Sequence, residues 1–348
     1  LLKALSEQDN SRLAEPGEFT KIAFENDKID LLKAESIGDL IHAETELQRD
    51  QAIKLVQGNA SNYYNDLREK LIKSLSYIEA KIDFAEDDLP EKILQETHKS
   101  INEIYKEIKK ILENDQIGEK IRNGFRISII GEVNSGKSSL LNLLSKREVA
   151  IVSEEKGTTR DVIETYLNID GYPVILSDTA GIRQTENTIE KKGIKLALEK
   201  SIESDLNIVM IDNTSEKLDK KIKDLINKDC LVLLNKSDIK AESSYKLEAE
   251  TFLVSVKDNK NIDIVIKRIK EKLKNKFNIN TNVLITRERH RIMLTKCLED
   301  IDRFLKKDQK KEIELAAEDL RMATRHLGKI VGKVDVEEIL GSIFKDFC

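Results

Sequence analysis

Gly131-Glu132-Val133-Asn134-Ser135-Gly136-Lys137-Ser138 is the stretch on which the reading of this chain turns. It fits G-x-x-x-x-G-K-[ST], it follows a short β-branched run, Ile127, Ile129 and Ile130, and it leads into Leu140, Leu141, Leu143 and Leu144 at helical spacing. A strand, a glycine-bearing loop and a helix in that order make a phosphate cradle. The glycines let backbone N–H groups turn inward, and the helix N-terminus adds its positive end. Asn134, Ser135, Gly136, Lys137, Ser138 and Ser139 are therefore candidate nucleotide contacts. Among them Lys137 neutralises the outer phosphates and Ser138 is placed to ligate Mg²⁺.

Downstream, the apolar run Val174 to Leu176 leads into Asp178-Thr179-Ala180-Gly181. The Asp178 carboxylate can reach Mg²⁺ through water, and the Gly181 N–H can face a γ-phosphate. Between the two motifs lies Gly157-Thr158-Thr159-Arg160-Asp161, a candidate switch whose Thr159 hydroxyl joins Mg²⁺ only when the γ-phosphate is present. Asn235-Lys236-Ser237-Asp238 follows the run Leu231 to Leu234. Guanine offers an N1–H and an N2 amino group to one carboxylate whereas adenine offers neither, so Asp238 favours GTP over ATP. Ser255-Val256-Lys257 would complete the base pocket with a backbone N–H toward the guanine carbonyl.

Further apolar runs at Leu206 to Ile211, Cys230 to Leu234 and Phe252 to Val254 alternate with helical segments, the pattern of a mostly parallel sheet. From Val162 to Leu176 the pattern is instead a hairpin, with Asp170-Gly171 suited to positive φ, so one antiparallel edge strand is expected. Long charged amphipathic helices flank this segment. Leu67, Leu71, Ile72, Leu75, Ile78 and Ile82 draw one stripe, and Ile101, Ile104, Tyr105, Ile108, Ile111 and Leu112 another. Leu294, Leu298, Ile301 and Leu305, then Ile313, Leu315, Leu320, Met322 and Leu327, continue the character after about Ile279. The economical architecture is an α/β P-loop (Ras-like) G domain at 123–279 inserted into an all-α helical domain built from 32–122 and 280–348, with 1–31 as a preceding segment.

The 348 residues suit about two domains at roughly 150 residues each. Charged residues make up 35% and aromatics 5%, with 3 prolines and no tryptophan, which argues against an all-β fold. A net charge of −5 gives no global nucleic-acid signature, so any RNA contact is local. Two basic clusters qualify: Arg287, Arg289, His290 and Arg291, and Arg321, Arg325, Lys329 and Lys333. Cys230, Cys297 and Cys348 are widely spaced, with 4 histidines, so neither a disulfide framework nor structural zinc is expected. No apolar run approaches the roughly 18 residues a membrane span needs, and a cytoplasmic protein without a membrane partner is expected. Because the first residue is Leu1, the chain reads as a fragment.

Two features bear on hydrolysis. The residue after Asp178-Thr179-Ala180-Gly181 is Ile182, which cannot orient a water, and the phosphate loop holds no arginine. Asn134, with a side-chain amide oxygen, could hold a monovalent cation against the phosphates and supply that charge.

These motifs, together with Arg12-Leu13-Ala14-Glu15-Pro16-Gly17-Glu18-Phe19-Thr20, Ala23 to Leu31, and Leu340-Gly341-Ser342-Ile343-Phe344 running to Cys348, resemble the MnmE (TrmE) family of tRNA-modification GTPases. The resemblance implies activation by K⁺ and by pairing of G domains across the nucleotide. It makes Asn134 a K⁺ ligand, with Ser153, Glu155 and Thr158 on a cation loop whose Glu154, Lys156 and Gly157 also line the GTP site. It makes Glu190 the catalytic glutamate, acting on the attacking water through intervening water. It further implies that 1–31 is the remnant of an N-terminal folate-binding domain and linker, most of which this chain lacks, with a homodimer formed through that domain, an FAD-containing partner (MnmG, GidA), and carboxymethylaminomethyl addition at C5 of the wobble uridine (U34) of certain tRNAs. The methylene group comes from 5-formyl-tetrahydrofolate or a related folate, with Lys28 as the matching folate contact, and Cys348 matches the family's terminal cysteine. The rival reading is a regulatory GTP-dependent switch that recruits RNA or ribosome-assembly partners.

Overall fold

A computed structural model of the chain describes residues 8–83, 91–113, 116–147, 149–151, 163–178, 201–215, 218–239, 245, 247–276, 283–308 and 311–333. The chain divides into two units. One comprises Leu1–Ala43, Gln48–Glu119 and Asn282–Cys348; the other comprises Glu44–Leu47 and Lys120–Thr281.

The second unit is α/β. Its strands are β1 (Phe125–Gly131), β2 (Val149–Ile151), β3 (Ile163–Ile169), β4 (Tyr172–Asp178), β5 (Leu206–Asp212), β6 (Leu231–Asn235) and β7 (Glu250–Leu253), in the sheet order β2-β3-β4-β1-β5-β6-β7. β1 pairs in parallel with β4 and β5, β5 with β6, and β6 with β7. Strands covered on both faces carry continuous apolar runs, and all five residues of β6 are buried. The β3–β4 hairpin turns at Asp170 (φ 54°) and Gly171 (φ 90°), the two positive-φ positions that the sequence suggested. The edge differs from expectation: β3 is the one strand that runs against the others, but it is not the edge, being covered by β2, which pairs antiparallel with it and so runs in the direction of β4. Three residues are too few for an apolar run to announce them.

The first unit is helical: α1 (Glu18–Glu25), α2 (Leu31–Ile41), α3 (Glu46–Val56), α4 (Asn59–Asp83), α5 (Glu91–Glu113), and, from the far end of the chain, α10 (Glu288–Lys306) and α11 (Ile313–Val331). Its core mixes both flanks, setting Leu67, Leu71 and Ile78 with Ile101, Ile104 and Ile108, and these with Leu294, Ile301, Phe304, Leu320 and Leu327. Each such side chain, fully buried, contributes about 1.5–3 kcal/mol. Two residues assigned to the stripes fall outside them: Ile72 is 39% exposed and Leu315 57%. Each stands one residue, about 100° of helix, from a buried neighbour, Leu71 or Ala316. The remaining helices, α6 (Ile117–Asn123), α7 (Lys137–Arg147), α8 (Lys220–Leu225) and α9 (Ile262–Lys276), connect or flank the strands.

The helical unit also buries charge. Arg289 holds Glu35 with two bonds of 2.6 Å, His290 Nε2 lies 3.0 Å from the same carboxylate, and Arg287 reaches Asp39 at 2.7 Å. Arg289 also donates to the Lys329 and Ile330 carbonyls at the end of α11, and Arg291 pairs with Glu119 at 3.0 Å. The cluster Arg287, Arg289, His290 and Arg291 is thus engaged by acidic side chains inside the unit. Burial pushes Glu35 up, but Arg289 and His290 outweigh it and hold the carboxyl well below its ordinary range. Burial, reinforced by Arg289, pushes His290 down to about 4.

Near the start of the described chain, Arg12 and the Glu15 N–H both bind the Glu18 carboxylate, the latter at 2.7 Å. Those bonds hold Glu18 at about 2 and fix the turn into α1. No helix among the described residues is long and apolar enough to cross a membrane.

Candidate nucleotide site

The site stands at the carboxyl ends of β1, β5 and β6, beside the point where the chain order reverses across β1. β1 ends at Gly131, and α7 begins at Lys137. Between them the loop turns back on itself, with Asn134 in the left-handed region (φ 64°) and Gly136 at φ 104°. A Cβ at Gly136 would lie 2.3 Å from Asn235 Nδ2, so only glycine lets the loop and that amide approach each other. Lys137 is buried and its ammonium donates to the Gly131 and Glu132 carbonyls at 2.9 and 2.7 Å. Asn134, Ser138 and Ser139 are exposed at the rim of the loop, whereas Ser135 is fully buried. The Ser135 hydroxyl has no hydrogen-bond partner among the described residues.

The segment that starts at Asn235 is locked to this loop. The Asn235 Nδ2 donates to the Ser135 carbonyl at 2.8 Å, and its Oδ1 accepts the Val256 N–H at 3.1 Å. Lys236, at φ 68°, leaves the strand in a left-handed turn, and the Ser237 N–H returns to the Val254 carbonyl at 3.1 Å. The Ser255 hydroxyl, itself buried, donates to Asp238 Oδ1 at 2.8 Å and accepts the Asp258 N–H at 3.1 Å. The first of these bonds holds the exposed Asp238 carboxyl below its ordinary value. The result is a fixed, ionised carboxylate presented to solvent beside the phosphate loop. Lys257 is exposed next to it.

Asp178 is the last residue of β4, opposite Ile129 of β1 and Ile163 of β3. Thr179, Ala180 and Gly181 lie outside the described residues, as do Ser153, Glu154, Glu155, Lys156, Gly157, Thr158, Thr159, Glu190 and Cys348. Lys28 is exposed after α1, where its N–H closes the helix on the Ala23 carbonyl at 2.8 Å.

Two site residues escaped the sequence reading. Asp212, at the end of β5 and in register with Asn235, pairs with the Lys236 ammonium and accepts the Thr214 N–H at 2.9 Å. Burial raises its carboxyl, but these bonds together bring it below the ordinary value. Glu132 accepts the Asp219 N–H at 2.8 Å and so anchors the phosphate loop to the segment entering α8. The usable signal was positional: an acidic residue closing a strand next to the one that carries the base motif.

A family model described as "MnmE helical domain" matches residues 31–348. The tRNA modification GTPase MnmE of Pelagibacter ubique is 57% identical over 347 residues, covering 99% of this chain and 78% of that protein. The proteins of the same name from Rickettsia canadensis and Paramagnetospirillum magneticum are 42% and 40% identical, covering 100% and 97% of the chain and 79% and 76% of the relatives. Among solved structures, the G domain of the T. maritima FeoB iron transporter overlaps 43% of the chain at 20% identity, with a TM-score of only 0.32. The family model spans both flanks and the segment between them, and the relatives align along almost the whole chain, so the chain belongs to the MnmE family.

Proposed function

We propose that this chain is a Mg²⁺-dependent, K⁺-stimulated GTPase that acts with an FAD-containing partner to modify C5 of the wobble uridine of certain tRNAs. The observation that carries the reading is Asn235, a buried amide that joins the phosphate loop to the base segment across 100 residues of sequence. Such a link serves a ligand that has both phosphates and a base. Membership of a family whose relatives are named tRNA modification GTPases supports the wider role.

In this reading the Lys137 ammonium exchanges the Gly131 and Glu132 carbonyls for the outer phosphates. Ser138, at the first turn of α7, would hold Mg²⁺ together with Thr159 and Asp178; when bound, the ion neutralises charge on the β and γ oxygens. Asn134, exposed on the loop's left-handed crest, would hold K⁺ with Ser153, Glu155 and Thr158. Glu190 would order the attacking water. Asp238 reads guanine N1 and N2, and since the Val256 N–H is already bound to Asn235, the Lys257 N–H is the one left to meet the guanine carbonyl. Folate contact by Lys28, a role for Cys348 and pairing of two copies belong to the same proposal and rest on family membership.

Asp238→Asn tests base choice. Replacing an acceptor with an amide is expected to weaken GTP about 100-fold and to favour xanthosine triphosphate, whose C2 carbonyl accepts where guanine donates. Unchanged GTP affinity, or tighter binding of ATP than GTP by the unaltered protein, would remove the reading.

A further inference from the structure

The phosphate loop is tied to the rest of the α/β unit at Ser135, whose carbonyl accepts the Asn235 amide, and again at Glu132, whose Oε1 accepts the Asp219 N–H at 2.8 Å. Glu132 is the second residue of the loop and is half-buried. An acid at that place is a poor neighbour for phosphates, because a carboxylate turned toward them repels them. Here it is committed instead to a backbone donor outside the loop. Asp219 stands at the start of α8, its carbonyl accepting the Lys223 N–H at 3.0 Å, and N–H groups at a helix start lack acceptors within the helix. The chain leading to that donor is itself held. The Asn213 N–H binds the Asn235 carbonyl at 3.0 Å, and the Tyr245 hydroxyl donates to the Ser215 carbonyl at 2.7 Å.

The backbone of Glu132 is engaged as well. Its carbonyl accepts the Lys137 ammonium at 2.7 Å and the Ser135 N–H at 3.3 Å, the latter across a turn with Asn134 at φ 64°. When Lys137 turns to the phosphates, that carbonyl keeps the longer of the two bonds, and the carboxylate on Asp219 then holds the residue. We propose that Glu132 is a positioning residue for the nucleotide. By gripping the Asp219 N–H it keeps the phosphate loop in its binding shape once Lys137 has left, and it keeps its own charge off the phosphates. The proposal deepens the nucleotide reading above and rests on it.

The test is titration of GDP and GTP onto the full chain, with kcat and KM for GTP, thermal unfolding and hydrogen exchange at the Asp219 amide followed in parallel. Glu132→Ala removes the acceptor. Both nucleotides are expected to weaken about tenfold, the loss of one charge-assisted bond, and the Asp219 amide to exchange faster. KM is expected to rise with them while kcat changes less than about twofold, a split that general loosening of the fold does not produce. Glu132→Gln keeps an oxygen at the same place without the charge. It is expected to match the affinity of the unaltered chain or exceed it by up to about fivefold, a gain that shrinks as salt rises. Unchanged affinity in the Ala variant, or equal weakening in both variants, overturns the role of Glu132 and leaves the nucleotide reading standing. Failure of the unaltered chain to bind either nucleotide overturns both.

Discussion

The two units solve the placement of polar groups in opposite ways. In the α/β unit the key contacts join segments at the carboxyl ends of nearby strands: Asn235 to Ser135, Asp212 to Lys236, Ser255 to Asp238. Parallel pairing sets the register, and the backbone delivers each side chain to the same edge of the sheet. In the helical unit the densest contact, Glu35 with Arg289, joins residues 254 positions apart. Helices bond their backbones internally, so nothing but side chains can fix how two of them meet. A site on strand ends is therefore specified by short motifs, whereas a joint between helices is specified by pairs with no local signature.

Breaking the joint is expected to have the largest effect. Glu35→Ala leaves Arg289 and His290 buried without their carboxylate and should cost about 3–5 kcal/mol, read as a shift of the urea midpoint. A loss below about 1 kcal/mol would show that apolar packing alone joins the flanks. Lys137→Ala probes the other unit and is expected to lower kcat by about 10²–10³. Its unfolding midpoint is expected to move far less than that of Glu35→Ala.

The joint is also pH-sensitive. His290 titrates near 6.5 when unfolded and about 4 when folded, so its contribution is complete above 6.5 and declines as pH falls toward 4. Glu35, held low by Arg289 and His290, adds a loss that starts below its ordinary value, and Asp39, Arg287 and Arg289 complete the cluster around the pair. Between pH 7 and 5 stability should fall by about 2 kcal/mol, and His290→Asn should flatten that profile. The smallest effect is expected from Asp212→Asn, which frees the Lys236 ammonium beside the base site. It should weaken GTP by about tenfold without changing kcat, and Asp212→Glu should restore part of the loss.

This contrast also explains what the sequence revealed. Gly131 to Ser138 and Asn235 to Asp238 were readable because a phosphate loop and a base motif are local strings with fixed neighbours. The β3–β4 turn was readable because Asp170-Gly171 carries its own conformational preference. β2 was not, being three residues whose pairing with β3 is set by tertiary contact. Asp212 was overlooked because its role depends on a strand neighbour. The basic run Arg287 to Arg291 hid its pairing for the same reason. Its acidic partners Glu35, Asp39 and Glu119 lie far off in sequence, and only the fold brings them together.

The most direct test of the nucleotide-site account is GTP hydrolysis in KCl and in NaCl at matched ionic strength, at several protein concentrations, with Asn134→Ala alongside. The account predicts hydrolysis stimulated by K⁺, rising per molecule with protein concentration, and lost in the Asn134 variant. Equal rates in both salts, unchanged by the substitution, would contradict the cation's place at the phosphate loop.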